Sequence, residues 1–296
     1  MTQVLDPKTR MGLVELRVAD LDKVAAYYRD GVGLALIAEG KSWQEYGRDG
    51  VATLRINHAP ELQHAPAGSA GLFHTAVLFE TRAQLASAVY SLARKYPSLF
   101  TGSSDHLVSE AFYFDDPEGN GVELYWDKPK DTWQIDGSTI KMATLYLDPN
   151  QFLQDHLPAT ALEQIESDTG VGQAARAGDV QLGHVHLRVG DIATAEAFYS
   201  GALGFEVTNR YGTQALFVSA GGYHHHLGMN TWDSRGASKR TLSLGLGQAS
   251  IIVPTLDEVL AVQGRLQDHK YESQFDGATL IAHDPWGNEV LVSAAH

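Results

Sequence analysis

The sequence contains no cysteine among its 296 residues, which excludes disulfides, thiolate metal sites and cysteine nucleophiles together. Any metal must therefore be held by His, Asp or Glu. Basic residues are also scarce: 22 Lys and Arg stand against 36 Asp and Glu, for a formal net charge of −14 and a pI near 5.3. That balance argues against nucleic acid or an anionic membrane surface as a partner, because both demand a positive footprint. No apolar run is long enough to span a bilayer, and the opening MTQVLDPKTR lacks the basic-then-apolar order of a signal peptide. An acidic cytoplasmic protein is expected, with chain enough for two domains of ordinary size.

What is present is most informative from His106 to Glu123, HLVSEAFYFDDPEGNGVE. A histidine is followed after five residues by Phe112-Tyr113, then Asp116-Pro117, Gly119-Asn120 and a glutamate on a new apolar strand. Pro fixes φ and Gly or Asn tolerates positive φ, so a tight turn joins the strands that carry Tyr113 and Glu123. Along the second strand Val122, Leu124 and Trp126 share one face, and Glu123 and Tyr125 share the other. A carboxylate on so apolar a strand needs a cation, a donor or water.

The chain also repeats itself. Leu16-Arg17-Val18-Ala19-Asp20 with Tyr28 and Gly33 recurs as Leu187-Arg188-Val189-Gly190-Asp191 with Tyr199 and Gly204, a constant offset of 171 residues. Asp116-Pro117-Glu118-Gly119-Asn120 recurs as Asp284-Pro285-Trp286-Gly287-Asn288, each copy preceded by a helical stretch, Ala83 to Lys95 and Leu256 to Asp268. Four modules follow, at residues 11–59, 71–128, 182–232 and 244–294. Each reads strand, helix, three strands. In the third, Val185, Leu187 and Val189 alternate with His184, His186 and Arg188, Asp191 is placed to cap a helix, and strands are expected at 205–208, 215–219 and 224–230. The modules group as residues 1–128 and 182–296. Between them, residues 129–181 form a linker with a strand at 142–147, a helix from Asp148-Pro149 and a polar connector from Glu163 to Gly178; no function is assigned to it.

The order His, five residues, aromatic-Tyr, Asp-Pro, Gly, Glu resembles the signature of the extradiol ring-cleavage dioxygenases of the vicinal-oxygen-chelate superfamily. Ser104, two residues before His106, lies outside the usual pattern, in which other small or aliphatic residues are commoner there. The resemblance implies an α+β fold of four βαβββ modules forming two paired curved-sheet domains, with ligands on the first and last strands of a module. In that pattern the first-strand ligand sits seven residues before the helix cap. The rule picks Leu13, His74, His184 and Gln248, and the last-strand position is Glu123 in module two and Leu291 in module four. Ligand-capable residues thus fall in modules two and three, whereas the commoner layout of two-domain members uses modules three and four.

The implied ligand set is His74, Glu123 and His184, two histidines and a carboxylate that leave adjacent positions open on Fe(II), with Mn(II) as the alternative ion. A structural zinc would instead close its shell with four protein ligands. In the cluster Gly221-Gly222-Tyr223-His224-His225-His226, strand alternation lets His224 and His226 share a side while His225 takes the other. By the resemblance His225 is the acid/base residue, His106 and Tyr113 contact the substrate, and His186 and Trp232 bind it, with Met229 and residues near Phe73 as further walls. GGYHHH and LGMNTW are similar to the catechol 2,3-dioxygenase branch. The implied reaction opens a small aromatic diol beside its hydroxyls with O2, giving a muconic semialdehyde. A homo-oligomer is compatible with this reading. The alternatives are a glyoxalase-type isomerase or hydroquinone-cleaving relative, with a fourth ligand from His224 or His226, and a metal-free binding module.

Overall fold

Four helices begin on a side chain that caps them, because Asp20, Thr81, Asp191 and Thr255 each accept a hydrogen bond from a backbone N–H three residues on. These caps mark the same point in each of the four modules. The computed structural model describes residues 4–167, 176 and 178–295. Module one comprises β1 (Arg10–Val18), α1 (Leu21–Ala26), β2 (Ala35–Glu39), β3 (Trp43–Arg48) and β4 (Val51–His58). Module two comprises β5 (Gly71–Phe79), α2 (Arg82–Lys95), β6 (Phe100–Asp105), β7 (Ser109–Asp115) and β8 (Gly121–Asp127). The linker holds the short strands β9 (Ile135–Asp136), β10 (Thr139–Ile140) and β11 (Leu145–Tyr146), then α3 (Pro149–His156) and α4 (Ala159–Glu166). The polar connector read from Glu163 to Gly178 lies largely outside the described residues.

Module three comprises β12 (Val180–Arg188), α5 (Ile192–Glu196), β13 (Glu206–Tyr211), β14 (Ala215–Ser219) and β15 (Leu227–Asn230). Module four comprises β16 (Gly245–Val253), α6 (Leu256–Asp268), β17 (Ser273–Phe275), β18 (Thr279–His283) and β19 (Glu289–Ala294). The modules pair across the sequence. One sheet runs β17-β18-β19-β16-β1-β4-β3-β2, joining module four to module one, and the other runs β11-β6-β7-β8-β5-β12-β15-β14-β13, joining module two to module three.

The repeated residues explain how the sheets are tied. Tyr199 of module three donates to Asp284 Oδ2 of module four at 2.9 Å. Its counterpart Tyr28 of module one is turned toward Asp116 of module two, and burial plus that carboxylate raise its hydroxyl well above the ordinary value. Each such aspartate also closes its own turn: Asp116 Oδ1 accepts from the backbone of Glu118 and Asn120, and Asp284 Oδ1 accepts from that of Trp286 and Asn288. Both tyrosines stand where α1 and α5 widen into a wider turn, Tyr27–Val32 and Ala197–Ala202. The Asp-Pro turn and the helical Tyr therefore recur because each docks on the other across the two sheets.

One face of each central strand feeds the main core. Val185, Leu187, Val122, Leu124, Phe112 and Phe114 belong to it, while Ala76, Ala111 and Tyr125 form a separate small cluster beneath the concave face of the second sheet. Among the described residues no helix is long and apolar enough to cross a membrane.

Candidate active site

The second sheet is centred on the antiparallel pair β5 and β12, in which His186 faces His74 across the ladder. Its register shifts twice, leaving Gly183 and Phe73 without partners, each just before a histidine. Such bulges re-aim the side chains beside them. Here the bulge lets Phe73 and His74, neighbours that would alternate in a regular strand, line the same cavity. On the other side of β5, β8 brings Glu123 opposite Ala76 and, across the hairpin, opposite Tyr113.

These registers bring His74, Glu123 and His184 together, with one potential ligand atom from each lying within 4.8 Å of the others and all three side chains buried. Glu123 Oε2 lies 2.9 Å from His74 Nε2 and 3.1 Å from His184 Nε2. His74 Nε2 and His184 Nδ1 are buried with no aligned hydrogen-bond partner among the described residues. Burial alone would raise the Glu123 carboxyl, but His184 and then His74 outweigh it and hold it well below the ordinary value. His184 is pushed down to about 4, chiefly by burial and against the pull of Glu123. A buried carboxylate flanked by two buried imidazoles, one of whose Nε2 atoms lies close to it without an aligned hydrogen bond, is the donor set that a divalent cation would complete, so the residues fit a metal ion.

His225 enters beside this group. Its ring centroid lies 4.0 Å from that of His184, and its side chain lines a cavity of about 420 Å³ together with His74, Glu123, Tyr113, His106 and His186. Burial first, then the neighbouring imidazoles, hold both His225 and His186 well below their ordinary pKa, so both are neutral near pH 7. The expectation that the three histidines lie on the strand is corrected. β15 starts only at Leu227, and His224 to His226 belong to the loop before it, freed from strand alternation by the Gly221-Gly222 turn. Hydrogen bonds, not strand parity, separate them. His224 Nε2 meets Asp127 Oδ1 at 2.8 Å, and His226 Nδ1 accepts from the backbone N–H of Ala220 at 3.2 Å. Both are thereby engaged away from the His74, Glu123 and His184 group.

The contact of 2.8 Å between His224 Nδ1 and His225 Nδ1 sets a tautomer. An ionised carboxylate can only accept, so beside Asp127 the uncharged form of the His224 ring carries its proton on Nε2 and offers Nδ1 as an acceptor. His225 then carries its proton on Nδ1, and its Nε2 keeps the lone pair. Tyr223 ties the carboxylate from its other side, donating to Asp127 Oδ2 at 2.8 Å. Opposite, His106 Nδ1 donates to the Ala143 carbonyl at 2.7 Å, so its Nε2 takes the Tyr113 hydroxyl at 2.6 Å. Burial and the charge of Glu123 raise Tyr113 well above its ordinary pKa, so it is a phenol and not a phenolate.

His186 and Trp232 both line the cavity, with Trp232 half exposed at its rim. Asn230 Nδ2 donates to His186 Nε2 at 3.1 Å, and a Cβ on Gly228 would sit 3.0 Å from the His186 ring. Met229 is not a wall: it is fully buried in the main core, since β15 turns Leu227 and Met229 inward and Gly228 and Asn230 toward His186. Sequence reasoning missed the linker, which supplies Met142 and Thr144 to the wall and the Ala143 carbonyl to His106. A backbone carbonyl leaves no sequence signal. It also missed Asp127, although Glu123, Tyr125 and Asp127 share a face of β8 by simple alternation. Leu13, Gln248 and Leu291 lie on the other sheet, where Arg55 pairs with Glu45 and stacks 4.6 Å above Trp43.

The model of the Glyoxalase/Bleomycin resistance protein/Dioxygenase superfamily matches residues 10–124 and 181–292. A Bacillus subtilis (strain 168) protein named catechol-2,3-dioxygenase is 33% identical over 284 residues, covering 94% of this chain and 94% of its own. Among solved structures, cppA protein from Streptococcus pneumoniae TIGR4 has a TM-score of 0.60 at 11% identity, covering 97% of this chain and 98% of its own. Glyoxalase I from Zea mays has a TM-score of 0.55 at 17% identity, covering 97% and 92%. At such identities the two structures speak for the fold alone.

Proposed function

The chain belongs to the Glyoxalase/Bleomycin resistance protein/Dioxygenase superfamily, and on that premise we propose that it is a non-haem Fe(II) extradiol dioxygenase opening a catechol beside its diol to a muconic semialdehyde. The observation that carries the reading is the buried group of two imidazoles and one carboxylate, with a further histidine, His225, beside it in an aromatic cavity. His74, Glu123 and His184 would hold the ion. When bound, the ion supplies a Lewis-acidic centre with open positions at which diol and dioxygen can meet.

The remaining work falls to this chain's own residues. His225, through the Nε2 that keeps its lone pair, takes a hydroxyl proton from the incoming catechol and later returns one, a task suited to an imidazole kept neutral at working pH. Asp127 and His224 hold it in the tautomer that makes this possible. Tyr113, a phenol tied to His106, presents a fixed hydroxyl to the substrate oxygens, and the Ala143 carbonyl fixes His106 in turn. Phe73, His186 and Trp232 form one aromatic wall that orients the ring and excludes water, with centroids 5.1 to 5.7 Å apart. The hydrogen bonds of His224 to Asp127 and of His226 to Ala220 favour the three-ligand reading over a four-ligand glyoxalase-type site, which would need one of them.

Anaerobic loading with Fe(II), followed by catechol and air, tests this reading. A yellow ring-opened product is expected, with up to one ion per chain. Saturation by zinc on four protein ligands, with no ring opening in the iron-loaded protein, would refute it.

A further inference from the structure

Resting on the dioxygenase reading, we propose that the catechol taken by this site carries an uncharged, apolar substituent, and that catechols bearing a carboxylate are rejected. The cavity of about 420 Å³ is roomier than a six-membered ring with two hydroxyls needs, which leaves space for a group attached to the ring. Its lining is largely aromatic and apolar, with Gln214 and Thr144 as uncharged polar members. Phe73, Trp232, Phe217, Tyr211 and Met142 line it, the aromatic run continuing through His186 with centroids of Phe217 and Tyr211 at 5.6 Å.

No lysine or arginine lines this cavity among the described residues. The cations around it are committed elsewhere: Lys128 pairs with Asp105 at 2.7 Å, Arg210 pairs with Glu196, and Lys130 donates to the Gly221 carbonyl at 3.2 Å. Arg188 stacks 5.4 Å from the Phe73 ring but opens into the neighbouring cavity with Arg240. Glu123, whose carboxylate also lines the cavity, is a ligand of the ion in this reading and supplies no counter-ion either. With the diol oxygens directed to the ion, a substituent carboxylate against the aromatic wall would give up water with no Lys or Arg to meet it, inside a chain that already carries −14. An alkyl group at the same place would cover Trp232, whose surface is 50% exposed, and gain about fourfold in affinity for each methylene buried.

The test is anaerobic calorimetric titration of the iron-loaded protein with catechol, 4-ethylcatechol and 3,4-dihydroxyphenylacetate at pH 7, with ring opening followed in parallel. The ethyl compound should bind roughly tenfold tighter than catechol and the acid at least roughly tenfold weaker than the ethyl compound. Trp232→Ala should narrow the gap between ethylcatechol and catechol, and Gln214→Arg, at the rim, should tighten the acid severalfold. Equal binding of the acid and the ethyl compound overturns the proposal, as does a Trp232→Ala protein with an unchanged preference. Preference in binding without ring opening of any catechol supports the cavity's selectivity and counts against the dioxygenase reading itself, so the two failures are distinguishable.

Discussion

Asp127→Ala should lower turnover about tenfold while leaving iron content and KM unchanged, although Asp127 touches neither the metal-ligand group nor the cavity. Its carboxylate reaches the chemistry through the two 2.8 Å contacts that run from Asp127 to His224 and from His224 to His225. A hydrogen bond to a charged group contributes roughly 1.5–3 kcal/mol. Applied to the choice between two imidazole tautomers, that is roughly a 10- to 150-fold bias toward the one that leaves His225 Nε2 unprotonated. The Asp127 side chain is 21% exposed, so water can enter its place and the loss falls at the low end of that range. His225→Ala removes the proton carrier itself and should cost about 10²- to 10⁴-fold in turnover, again with iron retained. The assay pairs steady-state ring opening at saturating catechol with metal analysis. Asp127→Asn keeps an oxygen that can accept from His224 Nε2 and should recover part of the loss. An Asp127→Ala protein with full turnover would refute the tautomer argument, and iron loss in His225→Ala would make that residue a ligand. If His225→Ala kept both iron and full turnover, His106, His186 or Tyr113 would have to carry the proton.

His184→Ala should lose iron along with activity, because it leaves two protein donors where three converge; metal analysis after dialysis checks this, and retention of stoichiometric iron contradicts the ligand assignment. Gly183→Ala should give little folded protein or a Tm many degrees lower, since its Cβ would run into the Tyr125 hydroxyl that meets Tyr223 at 2.7 Å; an unchanged melting curve would show that the strand relaxes around it. The metal-free protein should weaken in mild acid. His226 is pushed from 6.5 down to about 3 by burial and then by His224 and His184, so the unfolded chain binds the proton first as pH falls. The stability is thus present above 6.5 and is lost as pH drops toward the folded value, by about 2 kcal/mol at pH 5 for this one group. Thermal melts at pH 7 and pH 5 should show His226→Gln losing less than the parent, and equal losses would refute the assignment.

Much of the fold was legible because the repeat is written in residues that make the same contacts twice. The offset pair Tyr28 and Tyr199, and the pair Asp116 and Asp284, recur because each tyrosine faces the Asp-Pro turn of the module that follows it. Periodicity showed the modules, and the cap positions aligned them. The convergence of His74 and His184 was legible for the same reason, since both stand seven residues before their helix caps, Thr81 and Asp191. What alternation could not reveal were its local failures. The bulge at Phe73 turns two consecutive side chains into one cavity, and the His224 to His226 loop sorts its rings by hydrogen bonds to Asp127 and Ala220. The linker's part, a carbonyl at Ala143 and a wall at Met142, depends on a crossing of chain segments that no local pattern announces.

The two sheets show what separates a site from a scaffold when the backbone is nearly the same. Glu15 stands on β1 where His186 stands on β12, and Gln248 and Leu291 stand where His74 and Glu123 do on the other sheet. In the first sheet Glu15 is buried, and burial raises its carboxyl despite the nearby Arg17 and Arg55, while Arg55 is itself taken up by Glu45 and Trp43. In the second sheet Glu123 is held well below its ordinary pKa between two imidazoles, one of which has a buried nitrogen facing it with no aligned partner. An uncompensated donor set costs stability unless a cation completes it. Metal binding should therefore stabilise this protein, raising its Tm with iron concentration, and Glu123→Gln should abolish that dependence more completely than any substitution at Glu15. A Tm indifferent to iron in the parent protein would mean that the group is satisfied as it stands, and the site would lose its strongest physical argument.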